Sequence, residues 1–540
     1  MRKKFAKLLS VILVSATFLC GCGGNGGNGN QDSDQQLDIY LLEQGYGSDW
    51  CRDLIDEFKK QDWVKEKYPE LEVTFFTNDV REWAFNNITL TKSNKYDIMF
   101  GNQLNSFAGQ DNILLDLTDL VYNAKVPGED VTFKEKLNDS YVEYYTYTNP
   151  STGAETFYSV PYYTGIYGFI YNEDALTSYG LEVPRTTDEF IKACETIRNA
   201  NLDKYKNNDP AAQYCFIQSK EAAYWQMDGG VLSPWWAQYE GVEGYNNFYN
   251  GIVNGERSVD IFKQQGRLES LKVIEELLDY NNQYVSPQSF NQEYMISQTA
   301  FLQGAAVFHY NGDYFTDEMK DVKQRLENNN YKIPVIKMMK NPIISSIKNK
   351  CTTIADDAEL SALVKAIDAG SRELKGDGYE VNQKDFNKVF EARRIVNGSL
   401  TAPGVIPSYA KGKGVAVDFL RFMATDAGIS AYCKGASGAT IAFDFDPKTY
   451  DKTLYDSLEP LQQGRIDYMC NKNDPVNILK SSGLFPLCNY GKVDAFIDMK
   501  YYTMLSSQNK RKTAQNFYDE TIEYWTQNTW QTAISKAGLL

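Results

Sequence analysis

Asn311-Gly312-Asp313-Tyr314 is the stretch of this sequence with the clearest chemical use. A carboxylate beside an aromatic ring can hold a polyhydroxylated ring. Asp313 can accept hydrogen bonds from vicinal hydroxyls, and Tyr314 offers a plane to an apolar C–H face. A site built on such acceptors rejects analogues that lack the hydroxyl. The same residues would also serve as a capped turn. Trp50, Trp83, Trp225, Trp235 and Trp236 are further stacking candidates. Trp50 falls on the apolar stripe of a helix and is read as core. Trp235 and Trp236 are adjacent and cannot share one helix face, so at least one is expected to reach a cleft. Tyr162, Tyr163 and Tyr167 surround Gly165, and some of them are expected to face a ligand. Glu43, Asn102 and Gln103 follow apolar strands.

Nothing in the chain points to catalysis. A glycosidase needs two carboxylates at a fixed separation, and no motif singles out a pair. The lone His309 lies in an apolar run and is read as core. No G-x-S-x-G elbow and no H-E-x-x-H occurs. Cys51, Cys194, Cys215, Cys351, Cys433, Cys470 and Cys488 show no C-x-x-C pair, so neither a disulfide framework nor a zinc site is expected and most are read as buried thiols. No metal and no cofactor is expected. A net charge of −16 with a single His argues against nucleic-acid or phosphate partners.

The elements that would position these residues alternate. Leu37–Leu42 reads as a strand, and Gly45-Tyr46-Gly47 breaks it. Trp50, Leu54, Ile55 and Phe58 have helical spacing. Leu71–Phe76 and Tyr96–Phe100 are further strands separated by a helical stretch. This order predicts an α/β fold with a largely parallel sheet, whose ligands sit beyond the carboxyl ends of the strands. The loops at Glu43–Ser48 and Gly101–Ser106 are then the places to look. The chain is 540 residues long, 43% hydrophobic, with 38 tyrosines, which predicts two domains and a site rich in amphipathic rings.

The N-terminus reads as a targeting segment. Arg2, Lys3, Lys4 and Lys7 precede an apolar run, Leu8–Leu19, too short to span a bilayer. Leu19-Cys20-Gly21-Cys22 resembles the lipobox of bacterial lipoproteins, which implies cleavage before Cys22 and a diacylglycerol on its thiol. The Gly- and Asn-rich stretch that follows cannot bury enough apolar area to fold and reads as a tether.

Further blocks carry a wider resemblance. They are Val160-Pro161 with Gly165, Gly168-Phe169-Ile170-Tyr171-Asn172-Glu173-Asp174, and Gly180-Leu181 with Pro184 and Thr186 to Phe190. Phe301-Leu302-Gln303-Gly304-Ala305-Ala306 leads to Asn311–Tyr314, and Val415–Ala424 precedes Gly435-Ala436-Ser437-Gly438. In this order they resemble family 1 extracellular solute-binding proteins, the carbohydrate-binding group that includes maltose-binding proteins. The resemblance implies a two-lobed periplasmic-binding-protein-like (type II) fold with hinge strands and an interlobe cleft. It places a ligand-stacking aromatic at Tyr314, where the family's usual Trp would offer a larger plane. It implies a sugar ligand, the permease of an ABC importer as partner, a monomer, and an extracytoplasmic, lipid-anchored location. Asn341–Ile347 resembles a lipoprotein subgroup of gut-type Firmicutes, so a Gram-positive membrane is expected. The expected organisation is a signal peptide at 1–21 and a tether at 22–36. The first lobe takes 37–164 plus a return at about 331–430, and the second takes 165–330 plus about 431–540. The alternatives are a lipid-anchored carbohydrate-active enzyme and a sensing subunit without transport. Cys22→Ala is expected to release the protein from membranes. A variant that still pellets with membranes after a salt wash would refute the anchor.

Overall fold

Leu37, Ile39, Tyr40, Leu41 and Leu42 are all 1% exposed or less. A run buried on both faces makes β1 (Gln36–Leu42) an interior strand. The computed structural model describes residues 35–149, 151–220, 231–376, 378–439, 441, 443–469, 476–478 and 512–536. The signal segment, Cys22, Trp225, Cys470 and Cys488 lie outside them. All described residues fall in one compact unit, Asp34–Leu540.

The strands that join β1 are β2 (Glu72–Asn78), β3 (Ile98–Phe100), β4 (Val160–Asn172), β5 (Tyr214–Ile217), β6 (Ala306–Gly312), β7 (Ile336–Met339), β8 (Ile395–Val405) and β9 (Val476–Asn477). Their order is β2-β1-β3-β8-β4-β6-β5, with β7 also on β4 and β9 on β8. β1 is parallel to β2 and β3, and β6 is parallel to β5. Between these groups, β4 is antiparallel to β6, β7 and β8, and β8 is antiparallel to β3. The expected parallel sheet is therefore mixed, with two parallel groups joined by a pair of long antiparallel strands.

β4 carries that junction. All thirteen of its residues are buried. Val160–Tyr167 pair with β8, and Tyr167–Tyr171 pair with β6. Pro161 and Pro403 face each other at a register shift, where neither can donate to the ladder. The expected crossing near Gly165 thus falls inside one continuous strand.

Met338 and Met339 of β7 pair with Ile170 and Phe169, Ile343 bridges to Thr186, and Trp235 Nε1 donates to the Pro342 carbonyl at 3.0 Å. Residues 336–347 therefore pack with the β6 half of the sheet. Tyr432 donates to the Tyr162 carbonyl, and Phe443 bridges to Leu137, so this part stays with the β1 half. The Pro460–Met469 helix packs on β7, and the Ala514–Tyr524 helix packs on the Gln265–Leu278 helix. Apolar runs such as Ile343-Ile344-Ile347 state that they need cover, and not which half supplies it.

Cys194 and Cys215 form a disulfide between the Thr187–Lys206 helix and β5, with Cα atoms 5.0 Å apart. One disulfide thus stands among cysteines that were mostly expected to be buried thiols, and Cys51 is such a buried thiol. No helix among the described residues is long and apolar enough to cross a membrane.

The Asp426–Gly435 helix packs along the Asp49–Lys60 helix. A Cβ at Gly435 would lie 2.4 Å from Trp50 Cα and 2.6 Å from its nitrogen. Backbone meets backbone there, so neither side can yield by a rotamer change. Gly435→Ala is expected to lower stability by about 1–3 kcal/mol. Denaturant unfolding checks it, and an unchanged midpoint would refute the close contact.

Candidate functional site

The chain leaves β1 at Leu42 and turns through Glu43–Gly47 before Asp49 starts the next helix. Across from it, β6 ends at Gly312 and the Phe315–Asn328 helix begins. Between them lies a cleft of about 650 Å³, within the range of small-ligand sites. Glu43 to Gly47, Asp49, Arg52 and Asp53 line one side. Asp317, Glu318 and Lys320 line the other, and Lys434, Gly435 and Ser437 close the end.

Behind this cleft the rings are packed on each other. Tyr46, Tyr163, Tyr167 and Tyr314 are 3–6% exposed. Tyr46 stacks on Tyr163 with centroids 4.4 Å apart, and Tyr314 meets Tyr167 edge-on at 6.2 Å. Burial holds the phenols of Tyr46, Tyr163 and Tyr314 well above the usual tyrosine range. All three stay protonated at neutral pH and act as hydrogen-bonding hydroxyls on apolar rings.

Every residue of Asn311–Tyr314 has a packing duty. Asn311 accepts from the Gly312 nitrogen at 2.7 Å and faces His309 Nε2 at 3.2 Å. Gly312 must lack a side chain, because a Cβ would lie 2.0 Å from Tyr314 Cε1. Asp313 accepts from Tyr46 Oη at 2.6 Å, Arg465 Nε at 2.8 Å and the Ile166 nitrogen at 3.3 Å. The Asp313 and Arg465 side chains are each 1% exposed. In this conformation Asp313 is engaged within the protein and Tyr314 is folded onto its own turn.

The remaining expected residues divide. Glu43 lines the cleft. Asn102 is half-buried and Gln103 exposed, on the loop after β3, and neither lines it. Trp235 and Trp236 are 1% and 2% exposed, which corrects the expectation that one reaches a cleft. Their indoles donate to the Pro342 carbonyl and to Gln264 Oε1, and Ser233 to Gln238 of that helix are all buried. His309 is buried with Nδ1 2.6 Å from the Ile217 carbonyl, and burial lowers its pKa to about 4.

Several cleft residues had no individual signal in the sequence. Tyr46 sits in Gly45-Tyr46-Gly47, inside a loop expected to matter, with no pattern that marks its ring. Asp317 is held by Ser437, and burial is the main cause that raises its carboxyl to about 6. Burial also raises Glu318, while Gln298 and Arg81 act against the rise. Arg465 lies 152 residues from its partner Asp313, with no local pattern to mark it.

No curated protein matches the sequence significantly. Among solved structures, a chitin oligosaccharide binding protein superposes with a TM-score of 0.54 at 13% identity, over 91% of this chain and 98% of that one. The putative binding protein MsmE of Bacillus subtilis, in an open conformation, gives 0.52 at 12%, over 93% and 99%. RafE in complex with raffinose gives 0.51 at 14%, over 92% and 99%. At these identities the likeness speaks for the fold alone, a two-lobed binding-protein fold. The family model described as bacterial extracellular solute-binding protein matches residues 48–429. That is well over half of the 540 residues, and the chain belongs to this family.

Proposed function

We propose that the protein captures a neutral sugar or oligosaccharide in this cleft, outside the cell, and delivers it to the permease of an ABC importer. The observation that carries the reading is the cleft itself: about 650 Å³ between the β1 and β6 halves, backed by stacked tyrosines. Rings of that kind bury the apolar face of a pyranose, at about 25 cal/mol per Å². The likeness to proteins that bind chitin oligosaccharides and raffinose supports a carbohydrate. The lining carries five carboxylates (Glu43, Asp49, Asp53, Asp317, Glu318) against three cations (Arg52, Lys320, Lys434). Carboxylates accept from hydroxyls and repel anions, so uronic acids and sugar phosphates are disfavoured. The β1 half with β8 forms one lobe and the β6 half the other, with β4 and β8 as hinge. A monomer anchored through Cys22 to a Gram-positive membrane completes the proposal.

One observation favours a second reading. Asp317, raised to about 6 among other carboxylates, has the character of a general acid. A carbohydrate-active enzyme would use such a group. Incubation with an oligosaccharide panel separates the two, since cleaved products mean an enzyme and intact bound sugar means a binder.

Thermal unfolding with raffinose, chitotriose, xylotriose and trigalacturonate tests the ligand class. At least one neutral sugar is expected to stabilise the protein, by about 2.7 kcal/mol at a hundred times its dissociation constant. Trigalacturonate is expected to have no effect. Stabilisation by the acidic sugar alone would overturn the proposal. Asp313→Ala is expected to cost about 3–5 kcal/mol of stability, because Arg465 is left buried without its counter-charge. Denaturant unfolding reads this directly, and wild-type stability would show that the pair is dispensable.

A further inference from the structure

Tyr46 sits on a loop whose neighbours line an open cleft, yet it is only 3% exposed. Its ring lies flat on Tyr163, 4.4 Å between centroids with the planes 28° apart. Its hydroxyl donates to Asp313 Oδ1 at 2.6 Å. A plane stacked on an aromatic ring, with a hydroxyl on a carboxylate, is the pair of contacts a pyranose would make at the same place. We infer that Tyr46 is a built-in stand-in for one sugar ring, filling an inner subsite formed by Tyr163, Asp313 and Tyr314 until a ligand displaces it. The inference rests on the sugar-binding reading of the cleft.

The loop is built to release it. Gly45 passes so close to the inner rings that a Cβ would be 3.0 Å from both Tyr163 Oη and Tyr314 Cβ, so Tyr46 enters past a bare backbone. Gly47 has φ +67° and would meet nothing within 4 Å, which leaves open space beside the turn. The left-handed conformation there suits glycine alone without strain. The loop backbone closes through Gly47 N to the Gln44 carbonyl at 2.7 Å, and Ser48 provides no side-chain cap to the helix that follows. Glycine on both sides of one bulky ring lets that ring move without carrying the strand or the helix with it.

Displacement leaves a usable site. With Tyr46 gone, Asp313 keeps Arg465 on Oδ2 and the Ile166 nitrogen on Oδ1. The carboxylate therefore keeps its Arg465 partner, and Oδ1 regains a lone pair for a ligand hydroxyl. The face of Tyr163 is freed at the same time. Because Tyr46 lines the outer cleft, its departure joins that space to the inner rings. A ligand must then outcompete the phenol, so its apparent affinity is reduced by the population of the plugged state. Sugars lacking a hydroxyl that can reach Asp313 gain the stacking face but not the acceptor, and they are excluded more strongly than an empty pocket would exclude them.

The test uses Tyr46→Ala and Tyr46→Phe in the full chain, with circular dichroism and thermal unfolding as controls for folding. Calorimetry is run with raffinose, chitotriose and xylotriose. Any of these that binds the wild type is expected to bind Tyr46→Ala about tenfold tighter, the size of one hydrogen bond to a charged group. Tyr46→Phe, which keeps the stack and loses the hydroxyl, should fall between. In parallel, p-cresol should bind Tyr46→Ala and not the wild type, and it should compete with the sugar. Weaker sugar binding by Tyr46→Ala would make Tyr46 a ligand contact, and unchanged binding would make it a bystander; either overturns the inference. So does p-cresol that fails to bind or to compete. If no sugar binds any form, the sugar-binding reading fails instead, and p-cresol capture alone decides whether Tyr46 occupies a separable ring-sized site.

Discussion

Asp313 and Arg465 face each other at 2.8 Å with almost no exposure to water. Removing two such charges from water costs several kcal/mol each, and the pair is tolerable only when its remaining hydrogen-bonding capacity is met. Tyr46 and the Ile166 backbone meet it on the carboxylate side. Four separate pieces of chain are thereby tied to one carboxylate: the end of β6, the middle of β4, the loop after β1 and the Pro460–Met469 helix. Each arrives from a different part of the sequence, and the site can form only if all four arrive together.

The clasp sits beside β4, which pairs into both halves of the sheet. β4 gives its first part to β8 and its last part to β6, so the halves cannot separate without bending there. The ladder between β4 and β8 is itself irregular, with register shifts between Asn397 and Leu400 and between Ala402 and Pro403. A ligand that contacts both halves only when they are close shifts the population toward closure. The same geometry puts Asp317, on the β6 half, under the field of Asp49 on the β1 half, and this adds to the burial that raises its carboxyl.

The hydrophobic framework explains why the site is rigid where it matters. Trp50 packs on Tyr162, Phe100 and Tyr432, which locks the first helix, β3, β4 and the Asp426–Gly435 helix into one block. Phe169, Phe190, Phe308 and Trp235 do the same in the other half. The cleft is lined by loops and helix starts carried on these blocks, and Gln44 of its lining donates to Tyr162 Oη at 3.0 Å.

Much of this was legible from residue patterns. The apolar run at Leu37–Leu42, the helical spacing from Trp50 to Phe58 and the order of motif blocks determined the α/β class, the family and the loop at Glu43–Ser48, because periodicity and turn chemistry are local. The burial of Trp50 and His309 followed in the same way. Tertiary structure alone decided the rest. Trp235 and Trp236 are both covered because the Asn341–Ile347 segment and Gln264 reach them from far along the chain. Cys194 and Cys215 pair because a helix and a strand bring their Cα atoms to 5.0 Å. Asp313 was read as a free acceptor, and it is occupied because Tyr46 and Arg465, distant in sequence, need a buried anion. Which partner satisfies a buried charge or covers a ring is set by long-range packing, and no window of sequence contains both members of the pair.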